Sequence, residues 1–492
     1  MNGPLAICLL ASEATPFSKT GGLADVSAAL AKHLHAAGHD ARLFTPHYTA
    51  LAGGTDLRAA PRAEPLAGLT ALPLEVGTRR FEFSVLRAAL PGGAPVYLID
   101  CPALYARGTL YTSDADEHVR FIAFTRAVFA ACLRLAWAPG ILHCNDWHAG
   151  FAPLLLRASY RAEALFAATR SLLTIHNIGY QGIFPAAAAG DLGLGAWGDL
   201  LYAPDLAAGY INALRHGILY ADAVTTVSPT YAREICTPEY GMGLDDSLRA
   251  RAAALTGILN GVDYDEWDPR SDRYLPAAYD AEHLAGKREL KDAFLARLEL
   301  GGGPDVPLAG VVSRLAVQKG IELMFETLPK VLASRALNLV VLGSGETRYE
   351  EFFASLARRF AGRVVFRQGH DEELAHWIEA ASDLFLMPSR YEPCGLNQMY
   401  SLRYGTVPVV RRTGGLADSV EPYDRERGSG DGVVFNDFDV PALEWALNSA
   451  LDLYAQPQHW TRMMVNGMRQ DFSWQRQVGR YVELYRQLSA AA

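Results

Sequence analysis

The sequence predicts an α/β protein built from two doubly wound domains in tandem. Short apolar runs alternate with amphipathic helical patterns along the 492 residues, and this alternation is typical of βαβ units with parallel strands. The runs are apolar on both faces, as strands buried inside a parallel sheet are. A chain of this length exceeds one ordinary hydrophobic core, so we expect two large domains.

The first half contains six short apolar runs and two clear helical patterns. Strands are expected over residues 5–12, 41–46, 96–100, 141–145, 171–177 and 223–228. Leu23, Val26, Leu30 and Leu34 share one face of a helix that Gly38 closes. The second helical pattern covers residues 116–135.

The second half repeats this scheme. Strands are expected over residues 307–313, 337–345, 363–369, 384–389 and 407–413, with amphipathic helices over 349–360 and 371–383. The stretch 473–491 has a helical pattern but follows no strand. It either caps its own domain or crosses back to the first one, and in a two-domain enzyme we expect it to cross back.

The domain boundary is placed at "TGILNGVD", residues 256–263, where two glycines and an asparagine interrupt the periodicity. The predicted organisation is an N-terminal Rossmann-like domain of residues 1–257, a C-terminal Rossmann-like domain of residues 258–472, and a C-terminal helix of residues 473–492 that returns to the first domain.

Composition and charge exclude several classes of protein. The net charge of −9 and the absence of a basic run argue against nucleic acid as a partner. The six cysteines form no C-x-x-C pair, which fits a reducing compartment. The apolar N-terminal stretch lacks a basic region and is short, so it is predicted to be a buried strand and not a signal peptide. No segment approaches the ~18 apolar residues of a membrane helix. We therefore expect a cytoplasmic protein without a membrane partner.

The hexapeptide "TGGLAD" occurs twice, at residues 20–25 and 413–418. Each copy follows a predicted strand, so the glycine pairs 21–22 and 414–415 are expected to open helices. Backbone amides at a helix N-terminus favour an anion, and Lys19 adds a positive charge beside the first copy. A tight turn would explain either copy alone. Two copies in equivalent places favour a shared ligand over chance, although homologous halves can share a turn without sharing a ligand.

Two further loops of the second half carry charged residues where strands end. Arg314 and Lys319 follow the strand at 307–313, and two cations there suit a diphosphate, although a solvated loop explains them equally well. Glu392 follows the strand at 384–389, before a helix that starts near Gly395. A carboxylate there binds sugar hydroxyls, stabilises a developing oxocarbenium ion or caps the helix. Cys394 is more typical of a small buried residue than of a nucleophile.

The first half has its own polar residues at strand ends. His176 and Asn177 end the strand at 171–177, at the edge where parallel sheets bind ligands. Asp146 and His148 are residue types that bind metals, but no third ligand follows at a suitable spacing. We predict no metal site.

Several long motifs resemble one known family in the same order along the chain: "KTGGLADV", "DWHAG", "IHNIGYQG", "TVSPTYAREI", "GILNGVD", "SRLAVQKG", "EPCGLNQMYSLRYG" and "TGGLADSV". The family is that of bacterial glycogen synthases and plant starch synthases, and the resemblance runs from about residue 5 to about residue 480. It implies the GT-B architecture, with two Rossmann-like domains facing each other across a cleft. It also implies transfer of glucose from ADP-glucose to the nonreducing end of an α-1,4-glucan such as glycogen, with retention and without a metal or cofactor.

The resemblance implies a role for each matching residue. The first domain is expected on the acceptor side and the second on the side of the donor nucleotide. The catalytic residues would be Glu392, His176, Arg314 and Lys319. The residues that bind ADP-glucose would be Lys19, Gly21, Gly22, Asp25, Asp146, Asn177, Asn260, His370, Cys394, Gly395, Thr413, Gly414 and Gly415. His370 stands where the family commonly has a tyrosine that stacks on adenine, and an imidazole offers a smaller face.

Other functions are compatible with parts of the sequence. The closest is a related GT-B enzyme that uses UDP-glucose or another acceptor. An NAD-dependent oxidoreductase is disfavoured because neither half has G-x-G-x-x-G after its first strand. A catalytically inactive glucan-binding scaffold is disfavoured because Lys19, Arg314, Lys319 and Glu392 are intact. Retention through a covalent intermediate or by front-side attack are both open, and we favour the front-side route because no clear pair of nucleophile and acid is visible.

Overall fold

The structure is a computed structural model that describes residues 3–49 and 62–490. Its strands are β1 (Ala6–Leu10), β2 (Asp40–Pro46), β3 (Glu64–Pro65), β4 (Leu72–Val76), β5 (Arg79–Ala89), β6 (Pro95–Asp100), β7 (Ile141–Asn145), β8 (Arg170–Ile175), β9 (Ile183–Pro185), β10 (Tyr210–Asn212), β11 (Ala223–Thr226), β12 (Leu255–Gly257), β13 (Leu308–Val312), β14 (Asn338–Gly343), β15 (Val364–Gln368), β16 (Leu384–Met387), β17 (Val407–Arg411) and β18 (Val433–Phe435).

The helices lie mainly between these strands. They are α1 (Gly22–Ala36), α2 (Pro102–Tyr105), α3 (Glu117–Arg134), α4 (Ala152–Ala158), α5 (Ala203–Ala207), α6 (Ala213–Tyr220), α7 (Pro229–Glu234), α8 (Asp245–Ala250), α9 (Ala285–Arg297), α10 (Ile321–Ser334), α11 (Thr347–Arg359), α12 (Glu372–Ala381), α13 (Asn397–Arg403), α14 (Gly414–Ser419), α15 (Val440–Tyr454), α16 (Pro457–Met468) and α17 (Trp474–Ala490). Within the described part of the chain, none of them is both long enough and apolar enough to cross a membrane.

The chain divides into two compact units. Unit 1 consists of Met1–Val227, Ala232–Gly261 and Trp474–Ala492, and unit 2 consists of Ser228–Tyr231 and Val262–Ser473. The sequence boundary was placed at 257/258, whereas the chain passes between units after Val227, after Tyr231, after Gly261 and after Ser473.

Unit 1 is built on a ten-stranded sheet with the order β12-β11-β8-β7-β1-β2-β6-β5-β3, and β4 pairs with β5. The strands from β12 to β6 are parallel, while β3, β4 and β6 each pair antiparallel to β5. The chain proceeds from β1 to β2 on one side of β1 and later returns as β7 on its other side. The carboxyl ends of β1 and β7 therefore form a topological switch point, where open α/β sheets bind ligands.

Unit 2 is built on a six-stranded parallel sheet with the order β15-β14-β13-β16-β17-β18. Here the order reverses at β13, which lies between β14 and β16. The loops that follow β13 and β16 consequently emerge side by side, and they contain Arg314, Lys319 and Glu392.

The C-terminal helix α17 belongs to unit 1. Trp474, Tyr481 and Tyr485 are buried in the same core as the α1 residues Leu30 and Leu34. The hydroxyl of Tyr485 also lies 2.7 Å from Nδ1 of His143 on β7. Apolar burial and this polar contact together fix the helix to the sheet of unit 1.

The structure has a strand at each position where the sequence predicts one. It adds the antiparallel hairpin β4–β5, which the sequence analysis missed, and the short strands β3, β9, β10, β12 and β18. Residues 255–257, which overlap the start of the predicted boundary segment 256–263, form the edge strand β12 of unit 1 and pair with β11. The boundary segment therefore begins inside the sheet.

Candidate active site

Lys319 and Glu392 form an ion pair at the switch point of unit 2. Nζ of Lys319 lies 2.6 Å from Oε2 of Glu392, and the hydroxyl of Ser389 donates to the same oxygen at 2.9 Å. Only 6% of the Glu392 side chain and 19% of the Lys319 side chain are exposed. Removal of either partner from such a buried pair leaves an uncompensated charge, which is strongly destabilising.

Arg314 belongs to the same loop as Lys319 but is exposed. Its Nη2 lies 3.4 Å from Oε1 of Gln318. A short 3-10 turn, Val317–Lys319, then leads into α10 through Gly320, which has φ of +66°. The structure thus brings an exposed cation, Arg314, and an ion-paired cation, Lys319, to the carboxyl end of β13.

The second TGG turn supports the loop that carries Glu392. The amide of Gly415 donates to the carbonyl of Glu392 at 3.0 Å. A Cβ on Gly414, whose φ is +43°, would overlap the carbonyl oxygen of Glu392, and a Cβ on Gly415 would overlap that of Cys394. Glycine is required here because two loops touch through their backbones. The amide of Gly415 is therefore not available to a phosphate.

The first TGG turn differs from expectation in a similar way. Oε2 of Glu13 accepts hydrogen bonds from the amides of Thr20 at 2.5 Å and Gly21 at 3.3 Å. The amides of Thr20 and Gly21, which directly precede the first helical residue Gly22, were expected to face a ligand, but they bind a carboxylate of the same unit. Glu13 therefore occupies these two amides of the turn, and they are not available to a phosphate.

Lys19 and Asp25 lie on either side of this turn. Nζ of Lys19 lies 3.0 Å from Oδ1 of Asp25, and each side chain is about one third exposed. The hydroxyl of Thr15 donates to the same Asp25 oxygen at 2.8 Å. Asp25 thus holds the lysine at the surface of the loop. Gly22 is the first residue of α1.

Asp146 is buried directly after β7 and has an unfavourable backbone conformation, with φ of +54°. Its Oδ1 accepts the amide of His176 at 2.7 Å and that of Asn177 at 3.4 Å. Burial raises the pKa of Asp146 to about 7. The structure therefore gives Asp146 a supporting contact with the backbone of the His176–Asn177 pair.

His176 is a neutral imidazole in a defined tautomer. Asn145 donates from Nδ2 to the carbonyl of Leu10 at 2.9 Å, so its Oδ1 accepts from Nε2 of His176 at 2.8 Å. Burial lowers the pKa of His176 to about 3. Nδ1 is then the ring atom with a lone pair. Asn145 was not identified from the sequence, although its position at the end of β7 is a signal that could have found it.

The other candidate residues are dispersed between the two units. Asn260 of unit 1 is 5% exposed, and its Oδ1 has no hydrogen-bond partner among the described residues. In unit 2, the side chain of His370 is 75% exposed between β15 and α12, with Nε2 3.3 Å from Oε2 of Glu372. Cys394 is buried, as expected of an unreactive thiol, and Gly395 has φ of +71°. Thr413 directly precedes α14.

One group of potential metal ligands occurs among the described residues. The ligand atoms of Glu266, Glu372 and His376 lie within 4.8 Å of one another. Burial alone would lower the pKa of His376, but the hydrogen bond of Nδ1 with Asp272 and the carboxylate of Glu372, 3.8 Å from Nε2, outweigh it and raise the pKa to about 9. At neutral pH a proton therefore occupies the ring nitrogen that a metal would need. We interpret the group as an ion-paired imidazolium.

Two family models match the chain, one in each half. Residues 6–250 match the starch synthase catalytic domain, and residues 299–463 match the glycosyl transferases of group 1. Together with the two Rossmann-like units and their switch-point loops, these matches define the class: the protein is a glycosyltransferase of the GT-B fold.

The relatives define the family within that class. The chain is 45% identical over 490 residues to a glycogen synthase of Anaeromyxobacter sp. (strain Fw109-5), covering 99% of this chain and 100% of the relative. It is 42% identical to a glycogen synthase of Moorella thermoacetica, with 99% and 97% covered. The chain belongs to the glycogen and starch synthase family.

Solved structures agree with this assignment. The catalytic domain of starch synthase IV from Arabidopsis thaliana, bound to ADP and acarbose, matches with a TM-score of 0.90 and 32% identity, covering 99% of this chain and 100% of that one. A sucrose-phosphate synthase from Thermosynechococcus elongatus matches with a TM-score of 0.63 and 19% identity, and this likeness concerns the fold alone.

Proposed function

We propose that the protein transfers glucose from ADP-glucose to the nonreducing end of an α-1,4-glucan, with retention of configuration, and releases ADP. The observation that carries the proposal is the buried Lys319–Glu392 pair at the switch point of unit 2, in a chain that belongs to this family over its full length. A cation and a carboxylate held 2.6 Å apart suit a ligand with a phosphate beside a sugar.

Negative charge builds on the distal phosphate of ADP as the glycosidic bond breaks. In this proposal Lys319, which is paired with Glu392, and the exposed Arg314 supply positive charge for that phosphate from unit 2. Lys19 of unit 1 supplies a further positive charge. Preorganised cations stabilise developing charge more in the transition state than in the ground state, and each is worth ~3 kcal/mol by analogy with an oxyanion-hole donor. This chemistry requires no metal ion.

Glu392 acts in this proposal as a ligand of the transferred glucose. Its Oε2 is already held by Lys319 and Ser389, which reduces the nucleophilicity of that oxygen. Front-side attack by the acceptor hydroxyl, with the leaving phosphate as base, therefore agrees better with the geometry than a covalent glycosyl-enzyme does.

In unit 1, His176 presents a lone pair on Nδ1 and accepts a sugar hydroxyl. A neutral imidazole is suited to this role because a charged ring would compete with the cations for the phosphate. The unpartnered Oδ1 of Asn260 would accept a second hydroxyl. Gly21, Gly22, Asp25, Asp146 and Asn177 would act by shaping the loops around these groups. The assignment of unit 1 to the acceptor and of unit 2 to the nucleotide remains part of the proposal, as does a cytoplasmic location.

The test is incorporation of glucose into glycogen, with product analysis. The purified protein is incubated with ¹⁴C-labelled ADP-glucose and glycogen, and the product is digested with β-amylase, which removes maltose from nonreducing ends. We expect label in glycogen, release of ADP in equal amount, and nearly complete release of the label as maltose. Label that resists β-amylase would contradict the linkage, and no incorporation would contradict the function.

A related donor, UDP-glucose, is the competing candidate. It is favoured by His370, which offers a smaller face than the usual tyrosine for stacking on adenine. A parallel incubation with UDP-glucose distinguishes the two donors.

A further inference from the structure

The loop between β1 and α1 contains a buried carboxylate to which neither the sequence analysis nor the proposed reaction gives a role. Glu13 lies three residues after the end of β1 and is 3% exposed. An acidic side chain is rarely buried to this extent unless it is fully bonded. Its partners are therefore informative.

Both carboxylate oxygens of Glu13 are used. Oε2 accepts the amides of Thr20 and Gly21, and the hydroxyl of Thr20 lies 3.1 Å from Oε1 and from Oε2. Oε1 also accepts from the hydroxyl of Tyr111 at 3.1 Å. The hydroxyl of Tyr111 in turn lies 2.7 Å from Oγ of Ser12. One side chain thus connects the end of β1, the TGG turn and the segment before α3.

Burial and hydrogen bonding act on Glu13 in opposite directions, with a net rise in its pKa. Burial raises the pKa of Glu13, and hydrogen bonds from Thr20, Tyr111 and Gly21 oppose that shift. The positive end of the α1 dipole favours an anion at the same place. Glu13 therefore occupies the amides of Thr20 and Gly21 in the glycine-rich turn before the helix.

We propose that Glu13 is a positioning residue, which holds the turn of Lys19, Thr20 and Gly21 in the conformation that binds the donor. The inference rests on the proposed function in one respect, namely that Lys19 contacts the donor phosphate. It has a specific consequence: unit 1 binds that phosphate through the Lys19 ammonium, and the amides of Thr20 and Gly21 take no part.

Tyr111 supports Glu13 in holding the turn in this proposal. Tyr111 stacks on the ring of His148 at a centroid distance of 4.7 Å, so its hydroxyl is directed by packing as well as by hydrogen bonds. Without that hydroxyl, Glu13 keeps only its hydrogen bonds to Thr20 and Gly21 of the turn. Tyr111→Phe should therefore produce a smaller effect of the same kind as Glu13→Gln.

The first measurement is hydrogen–deuterium exchange of the intact protein, followed by mass spectrometry of peptides that contain residues 17–22. Glutamine keeps the size of Glu13 but carries no charge, and only one of its two polar atoms accepts. We expect Glu13→Gln to exchange faster in these peptides, with exchange elsewhere and the melting temperature nearly unchanged. Glu82→Gln, an exposed substitution on β5, is the matched control and should exchange like the wild type.

The second measurement is steady-state kinetics with ADP-glucose and glycogen. Lys19 contacts the donor phosphate in this proposal both before and during departure of ADP, so we expect Glu13→Gln, which displaces Lys19, to lower kcat/KM for ADP-glucose about tenfold. Glu13→Asp, which retains the charge on a shorter arm, should recover part of the loss. Tyr111→Phe should lie between wild type and Glu13→Gln.

The outcomes separate the inference from the proposed function. Faster exchange with an unchanged kcat/KM for ADP-glucose would overturn the positioning role and leave Glu13 as a support of the fold. Unchanged exchange would overturn the contact itself. Wild-type protein that transfers no glucose from ADP-glucose would refute the proposed function, whereas the exchange measurement would still decide whether Glu13 orders the turn.

Discussion

Arg314 and Lys19 are the cations whose removal leaves the least damage to the fold. Arg314 is exposed and the Lys19 side chain is 33% exposed, so neither anchors a core. We expect Arg314→Ala and Lys19→Ala each to lower kcat/KM by more than about tenfold, or about 1.4 kcal/mol, because the proposed reaction would lose one of the positive charges that stabilise the leaving phosphate. Steady-state kinetics and melting curves of both variants provide the measurement. Wild-type kinetics in both would remove these residues from the site.

Lys319 and Glu392 differ from those cations because each is the other's partner in a buried pair. Lys319→Ala should lower kcat/KM by about a hundredfold or more, since it removes a phosphate ligand and leaves Glu392 with an uncompensated charge. Lys319→Arg keeps the charge but changes its geometry, so partial recovery is expected. The same assay measures both variants. Equal activity of Lys319→Ala and wild type would show that the pair serves only the fold.

Two histidines of unit 1, His143 and His176, give stability a defined dependence on pH. Burial lowers the pKa of His143 and of His176 to about 3, whereas an unfolded histidine has a pKa of about 6.5. The unfolded chain then binds protons that the folded chain does not, so stability is lost as pH falls from about 6.5 towards about 3, by up to ~1.4 kcal/mol per pH unit for each group.

Comparison of variants isolates this effect, because Asp146 acts in the opposite direction. Its pKa is raised to about 7, so its contribution is present at low pH and is lost as pH rises through that value. Urea unfolding at a series of pH values should give a shallower dependence for His143→Gln than for wild type. His283→Gln, whose side chain is 83% exposed, is the control and should match wild type. Equal slopes for all three proteins would contradict the neutral state of His143.

At the scale of elements, α17 packs in unit 1 although the chain reaches it only after unit 2. Trp474 is 2% exposed, and a Cβ on Gly261 would overlap it. We expect Trp474→Ala to destabilise unit 1 by ~3–5 kcal/mol, because it leaves a large cavity. Chemical denaturation followed by circular dichroism measures the loss. Trp445→Ala, at a tryptophan 58% exposed, should change stability little, and a similar loss in both variants would contradict the packing assigned to α17.

The elements that the sequence predicted well are those with a strong local signal. Parallel strands such as β7 and β14 are apolar on both faces, and the helices α3 and α11 have clear 3.6-residue periodicity. The hairpin β4–β5 had a signal that was overlooked. Leu72, Leu74 and Val76 alternate with Pro73 and Glu75 before the two-residue connection Gly77-Thr78, and a two-residue connection that contains glycine is a usual hairpin pattern.

Some residues of the candidate site have a local sequence signal, whereas others are recognised only from the fold. The sequence pattern placed Lys319 and Glu392 each after a strand, and the sheet order, in which β13 neighbours β16, is what brings them together. Glu13 could not be found in this way, because its partners lie seven, eight and 98 positions away. No periodicity links such positions, and only the folded chain shows that the first TGG turn is already occupied by a carboxylate.

At the scale of the whole molecule, the repeated TGGLAD marks equivalent points of two Rossmann-like units with different surroundings. Asp25 of the first copy pairs with Lys19, whereas Asp418 of the second accepts the amide and the hydroxyl of Thr230 at 2.7 Å each. Duplication of the fold explains the repeated turn. The chemistry depends on what each unit adds around it, Lys19 and Glu13 in one and Glu392 in the other.

The most direct test of the account is the ratio of kcat/KM for ADP-glucose to that for UDP-glucose, measured on glycogen with wild type and Glu392→Ala. We expect wild type to prefer ADP-glucose by more than about tenfold, and we expect Glu392→Ala to lose most of its activity with both donors, because Glu392 serves the sugar and not the base. Equal use of both donors by wild type, or full activity of Glu392→Ala, would contradict the account.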